Sequence, residues 1–504
     1  MLSRLEHRFA GLRPDAIASG AIVASFAVAA LVAGLAISTG SPVAILLTLG
    51  VIASAALLNA LPLVVWTVLI GVLLISGPVT MFVPALNKAG WFFALLGFFL
   101  ACASLLYAAT ARQGSSRPLP AFAVMAVAFF ALGILSIAYS GGPPMEGARA
   151  TKRYFQYFGL LFVLAVVPFA PSLVRRWWRF LVLLAFIQLP FALYQRLVLV
   201  PMREGMPAVD ALDIVVGTFE GQLTGGGSSS VMALFLIAIL AYLLALYRER
   251  AISVGRLLVL GTLAAAPLPL GDVRVIFVLL PLAAATIYFD MIRAHPIRFA
   301  VAIAFAMGLL ALQAWLYLTL NTTETLEQII ENSIAYNFGT VGYLGGAGLN
   351  RTTVLTYWFD QQRLSDPIGF FFGHGLGSAF GVVGDPQPGH MHQAHAWMFI
   401  GLTAASSVLW DLGLVGFLLM VAMHVSAVIY AARLVSTARS GFDRALCRTL
   451  YAFASMMLVM PFYSDGPIAW PSQQVLTAAC LGLIAWRWRI SERLPEGWDG
   501  SRAV

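Results

Sequence analysis

Apolar runs of about 20 residues recur along the whole chain, and a helix of that length crosses the roughly 30 Å hydrocarbon core of a bilayer. With 60% hydrophobic and only 10% charged residues, the composition excludes an ordinary soluble domain. The sequence therefore predicts an all-α, polytopic transmembrane helical bundle of about 14 spans. The predicted spans are approximately 17–38, 42–59, 61–83, 90–109, 119–139, 155–174, 177–200, 229–247, 252–270, 272–289, 297–320, 408–432, 446–463 and 467–486.

The distribution of lysine and arginine predicts which way the bundle faces. The basic N-terminus precedes an apolar run that is longer than a signal-peptide core, which indicates an uncleaved first span. Most of the 30 lysines and arginines fall in that terminus, in alternate loops and in the C-terminal tail. Because cytoplasmic loops carry an excess of these residues, we predict that both termini lie inside and that residues 321–395 lie outside.

The predicted spans divide the chain into three parts. Residues 1–320 form transmembrane helices 1–11, residues 321–395 a periplasmic loop with short helices, and residues 396–504 the last helices and a cytoplasmic tail. The net charge of +8 does not indicate nucleic-acid binding, since the cations lie in short loops between helices. The three cysteines (Cys102, Cys447, Cys480) lie in or beside spans, so their spacing fits neither a disulfide framework nor a zinc ribbon.

Several cations oppose the orientation bias. Arg274 lies just inside a predicted span next to Asp272, where a guanidinium is costly and needs a partner or a function. An ion pair with Asp272 is one explanation and substrate binding the other. Arg196 also lies inside a predicted span and likewise needs a partner or a function. The outer segment 141–154 adds three more cations: Arg149, Lys152 and Arg153.

Two helices are predicted in the long loop. Asn321 can cap the first, with Glu324 at N3, and its apolar face predicts a helix lying on the membrane surface. The second carries Arg351, Leu355 and Trp358 on one face. A guanidinium and an aromatic plane suit a phosphate attached to a sugar, although a short packed helix would use the same residues.

The end of the loop combines glycines and histidines. Glycines at 373, 375 and 377 mark a close approach of the backbone, without the strand–turn–helix context of a nucleotide fold. His390, His392 and His395 follow. They can supply a general base or, with Asp385, a metal site. We favour the base, with no metal and no other cofactor.

Four features together resemble the superfamily of O-antigen ligases and O-antigen or exopolysaccharide polymerases. They are Arg274 before the long loop, R-T-T-x-x-x-x-W from Arg351 to Trp358, FFFGHGLGS, and a histidine before a span containing WDLGLVGF. The resemblance covers roughly residues 255–430. The first half of the chain is similar only as a multi-span scaffold.

The resemblance implies a membrane glycosyltransferase that acts at the periplasmic face of the bacterial inner membrane. Its substrate would be an undecaprenyl-pyrophosphate-linked oligosaccharide, and its acceptor a glycan or glycolipid. By position, Arg274 and Arg351 would hold the pyrophosphate, and His395 would be the base, with His392 second. His395 lies farther from the closing Gly413–Gly416 motif than is typical of the family, by about seven residues, which is close to two helical turns.

Polymerisation of repeat units is the favoured reaction, and ligation to a lipid A core is the alternative. A transporter of lipid-linked oligosaccharides belongs to a different class, and pairing of the membrane-embedded Asp411 and His424 would favour it. A non-catalytic assembly partner is a third possibility. Membrane lipids and other polysaccharide assembly proteins are the expected neighbours.

Overall fold

The structure is a computed structural model. It describes residues 57–490, except for 84–85, 87–89, 111–116, 207–209, 224, 272, 292–294, 322–324, 340–347, 363, 382–386, 397 and 440. Helices make up nearly all the regular structure in these residues, with one isolated β-bridge between Gly221 and Gly227. The all-α prediction is therefore confirmed for the described part of the chain.

The chain divides into two compact units, Met1–Val65 and Trp66–Val504. The first is described only over residues 57–65, most of which belong to the helix that begins at Leu61. The main helices, numbered in chain order, are α1 Leu61–Phe82, α2 Gly90–Thr110, α3 Ala121–Tyr139, α4 Pro144–Phe155, α5 Phe158–Val166, α6 Pro171–Arg203, α7 Ser229–Arg248, α8 Val254–Ala265, α9 Ile276–Tyr288, α10 Pro296–Asn321, α11 Leu326–Phe338, α12 Thr353–Gln361, α13 Pro367–Phe372, α14 His390–Ala394, α15 Ala404–Thr437, α16 Gly441–Met456 and α17 Pro471–Arg489.

Seven of the described helices are long and apolar enough to cross a membrane: α1, α2, α3, α6, α7, α15 and the stretch Gly441–Tyr463 that contains α16. Helices α8 and α9 are apolar but shorter. The chain thus has the helices of an integral membrane protein. The first predicted span, 17–38, and nearly all of the second lie outside the described residues.

The predicted span 155–174 is divided in the structure. Helix α4 ends at Phe155 and α5 begins at Phe158, because the backbone packs closely against α2 at this point. A Cβ atom on Gly97 would lie 1.8 Å from the Gln156 carbonyl oxygen, and one on Gly159 would lie 2.0 Å from that of Gly97. The amphipathic α4 is therefore a separate element that precedes a short apolar helix.

Helix α7 lies in the centre of the second unit and is buried along almost its entire length. It packs against α9 and α16, while α15 packs against α3 and α16, and α17 packs against α5. The short loop helices α12 and α13 contact α15. This arrangement fixes the loop to the beginning of α15.

The predicted start of the first loop helix was wrong. Asn321 is the last residue of α10, and α11 is capped instead by Thr325, whose hydroxyl accepts from the Gln328 amide while the Gln328 side chain accepts from the Thr325 amide. This reciprocal capping box satisfies two backbone donors at once. Glu324 lies outside the described residues.

Candidate functional site

The glycine-rich segment 373–379 is fixed to the beginning of α15. The Asp411 carboxylate accepts hydrogen bonds from the amides of Gly377 (2.9 Å) and Ala379 (2.8 Å), and from the hydroxyls of Ser378 (2.9 Å) and Tyr154 (2.8 Å). Gly373 has a φ of +78°, and a Cβ atom there would lie 2.5 Å from the Asp411 backbone. The predicted close approach at the glycines is confirmed, and it joins the FFFGHGLGS and WDLGLVGF motifs.

A cavity of about 720 Å³ lies where α9 begins. Most of its wall is apolar and comes from α9, α10, α11 and the chain around Val459–Tyr463. Arg274 and Arg351 both line it. Two arginines that are distant in the sequence thus lie on one apolar cavity.

Helix α11 holds both of these guanidinium groups. Arg274 Nη1 donates to the Ser333 hydroxyl (2.9 Å), and Arg351 Nη1 donates to the Asn337 side-chain oxygen (2.8 Å). Ser333 and Asn337 are four residues apart on the helix, so their side chains are about one turn, or 5–6 Å, apart on the same face. The two cations are therefore bound by positions one helical turn apart on α11.

The rest of α11 forms a wall of the cavity. Its exposed apolar residues Ile330, Ile334 and Phe338 face the cavity and not the protein core. The sequence predicted that this apolar face lies on the membrane surface; in the structure the face is exposed and also lines the cavity.

Arg351 also contacts the turn that follows the Gly441–Tyr463 span. Its Nε donates to the Tyr463 carbonyl (2.6 Å), and its guanidinium lies 4.4 Å from the Tyr463 ring centroid. Two residues later, Asp465 accepts from Arg153 Nη2 (2.9 Å). Burial raises the pKa of the Asp465 carboxyl, and the Arg153 charge opposes that rise. The turn 463–465 thus connects the cavity with α4.

Trp358 lies in a different place from the one that the sequence suggested. Arg351, just before α12, and Leu355 both line the cavity, but the Trp358 ring is fully buried. It packs with Phe370, Ile400 and Trp410. In this position the ring supports α12 and does not present a face to a sugar.

The predicted base His395 contacts two aromatic residues. Its Nδ1 is 2.8 Å from the Tyr357 hydroxyl, and its ring lies 4.8 Å from Trp410. Burial lowers the pKa of His395 and raises that of Tyr357. His395 is therefore neutral at pH 7, which a base requires, but its described polar partner is an uncharged phenol.

Of the other two histidines of this cluster, His390 contacts α4 and His392 contacts the chain after the glycine-rich segment. His390 Nδ1 is 2.9 Å from Glu146 Oε1, and the His390 amide donates to Glu146 Oε2 (3.1 Å). The His392 amide donates to the Ser378 carbonyl (3.0 Å). Arg149 Nη2 donates to the Gln387 carbonyl (2.7 Å). The outer segment and the histidine segment, far apart in sequence, form one surface.

The remaining predicted cations point elsewhere. Lys152 Nζ lies 4.3 Å from the Trp91 ring centroid, and burial lowers its pKa. Arg196 is half-buried in the π-helical turn Gln195–Leu199 of α6 and does not line the cavity. The structure thus brings Arg274 and Arg351 together and connects Arg153 to them, but it separates Lys152 and Arg196 from the cavity.

Two alternatives find no support in the geometry. Within the described ranges, no group of three His, Cys, Asp or Glu side chains is placed to hold a metal ion, and Asp385 lies outside them. His424 Nδ1 is bonded to the Met420 carbonyl (2.9 Å), so it is not paired with Asp411. The pairing that would have favoured a transporter is absent.

Sequence reasoning missed Glu146, Asp465 and Asn337. Glu146, Arg149 and Arg153 are spaced three and four residues apart, so they share one face of a helix. This spacing was the signal that could have identified Glu146. Asp465 had no such signal, because it is isolated between two apolar segments.

No protein-family model matches this chain, and no curated protein matches it either.

Proposed function

We propose that this protein is a membrane glycosyltransferase that transfers a glycan from a lipid diphosphate. One observation carries the proposal: Arg274 and Arg351 line the same apolar cavity of about 720 Å³, and both are bound by α11, through Ser333 and Asn337. Such a site suits a molecule with two adjacent phosphates and an apolar tail. A polyprenyl-diphosphate-linked oligosaccharide has this form.

The chemistry needs no nucleotide. An acceptor sugar hydroxyl attacks the anomeric carbon of the donor, the bond to the diphosphate breaks, and the electron pair leaves with the diphosphate oxygen. Guanidinium groups placed where that charge develops lower the barrier. A loop histidine takes the hydroxyl proton; position in the sequence favours His395, then His392.

Polymerisation of repeat units is our first choice of reaction, and ligation to a lipid A core the second. Both use the same donor and differ only in the acceptor. A transporter of the same lipid would need the two arginines but no proton acceptor. The contacts of His395 with Tyr357 and of His390 with Glu146 hold two candidate proton acceptors in place, which supports the enzyme.

The test is transfer by purified protein in liposomes with a polyprenyl-diphosphate oligosaccharide. Chain-length analysis of the products distinguishes polymerisation from single transfer. The Arg274→Ala/Arg351→Ala double variant should lose transfer, whereas Arg433→Ala, an exposed position on α15 that does not line the cavity, should keep it. Movement of intact lipid-linked glycan across the bilayer without transfer would contradict the proposal.

We also propose that the cavity faces the periplasm of a bacterial inner membrane. Cysteine introduced at the exposed Asp360 on α12 should react with a membrane-impermeant thiol reagent in spheroplasts, in a Cys102→Ser background. Cysteine at the exposed Ser436, at the end of α15, should react only after permeabilisation. The opposite pattern would reverse the orientation.

A further inference from the structure

Glu146 and His390 have the geometry of a carboxylate–histidine pair. Glu146 lies in the first turn of α4 and is only 8% exposed. Its two oxygens accept from His390 Nδ1 (2.9 Å) and from the His390 amide (3.1 Å). An ionised carboxylate can only accept, so Nδ1 must carry the proton, and the lone pair of the imidazole is on Nε2.

The segment that carries His390 is fixed on both sides. The Gly389 amide donates to the Phe380 carbonyl (2.6 Å), and the His392 amide donates to that of Ser378 (3.0 Å). A Cβ atom on Gly389 would lie 2.3 Å from the Gly377 oxygen, so this approach requires glycine. The His390 ring is therefore held in place, while about a third of its side chain stays exposed.

The pair lies on the same face of α4 as Arg153. Seven residues separate Glu146 from Arg153, which is two helical turns or about 10 Å. Arg153 binds Asp465, and Tyr463 of the same turn binds Arg351 at the cavity. Glu146, which binds His390, thus shares a face of α4 with the residue that connects α4 to this turn.

His390 is chemically better suited to accept a proton than His395. A carboxylate stabilises the imidazolium that forms when the base accepts a proton, whereas the Tyr357 phenol beside His395 remains neutral. Of the four loop histidines, His390 is the one whose described partner is a carboxylate.

We infer that Glu146 and His390 form the proton-accepting pair of the transfer reaction, with His390 as the catalytic base and Glu146 as its positioning residue. The inference rests on the proposed function. As the acceptor oxygen bonds to the anomeric carbon, its proton passes to His390 Nε2, and the electron pair of the breaking bond leaves with the diphosphate. Glu146 stays ionised and holds the Nδ1 proton.

The experiment compares His390→Gln, His395→Gln, Glu146→Gln and Glu146→Asp in the liposome assay, with rates measured from pH 5.5 to 9 and donor binding measured separately. His390→Gln should lower the transfer rate by about 10²–10⁴-fold. It should leave donor affinity within about threefold. Arg433→Gln serves as the unchanged control.

Glu146→Gln tests whether Glu146 acts on the reaction or only stabilises the fold. Glutamine keeps the size of the side chain but cannot stabilise the imidazolium that forms when His390 accepts the proton. Glu146→Gln should therefore lower kcat while KM for the donor and the unfolding midpoint stay unchanged. Glu146→Asp should restore part of kcat.

The outcomes separate this inference from the proposed function. Absence of transfer by the unaltered protein would overturn the proposed function itself. Transfer that survives His390→Gln but is lost in His395→Gln would assign the base to His395 and overturn the pair. An unchanged kcat in Glu146→Gln, or a loss of kcat that the unfolding midpoint follows, would overturn the role of Glu146.

Discussion

The two ends of α9 hold arginines in opposite ways. At the end near Tyr288, Arg248 binds both oxygens of Asp290 (2.7 Å each), and Arg448 binds Glu249 and Asp290 (3.1–3.3 Å). At the end near Ile276, the described partners of Arg274 and Arg351 are a hydroxyl, a side-chain amide and a backbone carbonyl. Both ends line cavities, but the described partners of the arginines are carboxylates at the first end and uncharged groups at the second.

The difference separates structural charges from functional ones. Each carboxylate at the Tyr288 end joins helices, as Asp290 links α7 to α16 and Asp443 of α16 binds Arg487 of α17. The described hydrogen bonds at the Ile276 end join both guanidinium groups to uncharged partners, and Asp272, the other predicted partner of Arg274, lies outside the described residues. We expect a bound anion to contact both arginines.

The largest effect should come from breaking an ion pair at the structural end. Arg487 and Asp443 are both almost completely buried and are joined by two 2.7 Å bonds. Arg487→Ala leaves a buried carboxylate and should lower the free energy of unfolding by about 3–5 kcal/mol. Thermal unfolding in detergent measures this. Arg433→Ala should change the unfolding midpoint little. Equal midpoints for the two variants would show that the Arg487–Asp443 pair does not stabilise the fold.

At the cavity end, a single arginine should matter for rate and not for folding. Arg351→Ala should reduce transfer by about 10²–10³-fold, since it removes a donor to the developing charge. Arg351→Lys should lose less, because it keeps the charge and loses only the planar fork. Initial rates are compared with unfolding midpoints. If Arg351→Ala lowers the transfer rate and the unfolding midpoint together, Arg351 stabilises the fold and has no separate role in transfer.

Glu220 adds a buried carboxylate that is bonded to the Ser472 amide and hydroxyl. Burial raises its pKa to about 7, against a hydrogen-bonding effect that lowers it. Since the folded state then binds the proton more tightly than the unfolded state, stability should fall as pH rises from about 4.5 to 7, by up to about 3 kcal/mol. Glu220→Gln should flatten the dependence of the unfolding midpoint on pH. If the slope is unaltered, the pH dependence of stability comes from another group.

The smallest effect should come from Ser333, which orients Arg274. Ser333→Ala removes one hydrogen bond worth about 1 kcal/mol and should weaken donor binding about fivefold. Thr356→Ala, an exposed hydroxyl bonded within α12, is the matched control and should bind normally. Identical affinities in the two variants would show that α11 does not orient the arginine.

Several elements could be predicted from the sequence because their signals are local. Apolar length gives α2, α3 and α7 within a few residues, and the motif glycines mark a real close approach. Arg274 and Arg351 were found because both oppose the orientation bias in a chain with few charges.

Other features depend on contacts that no local pattern reports. The division at Gln156 follows from Gly97 on a different helix, and burial of Trp358 follows from Phe370 and Trp410. Glu146 gains its role only where α4 meets the histidine segment. Helical spacing predicted that Trp358 and Arg351 share one face of a helix. Packing against other parts of the chain determines which side of α12 lines the cavity, and Trp358 is not on that side.

The most direct test of the account is equilibrium binding of a polyprenyl diphosphate and of the corresponding monophosphate to the purified protein. Two guanidinium groups on one cavity predict tighter binding of the diphosphate by the unaltered protein and by Arg433→Ala. The Arg274→Ala/Arg351→Ala variant should lose that preference while keeping its unfolding midpoint. Equal affinities for the two lipids in the unaltered protein, or a preference that survives in the double variant, would contradict the account.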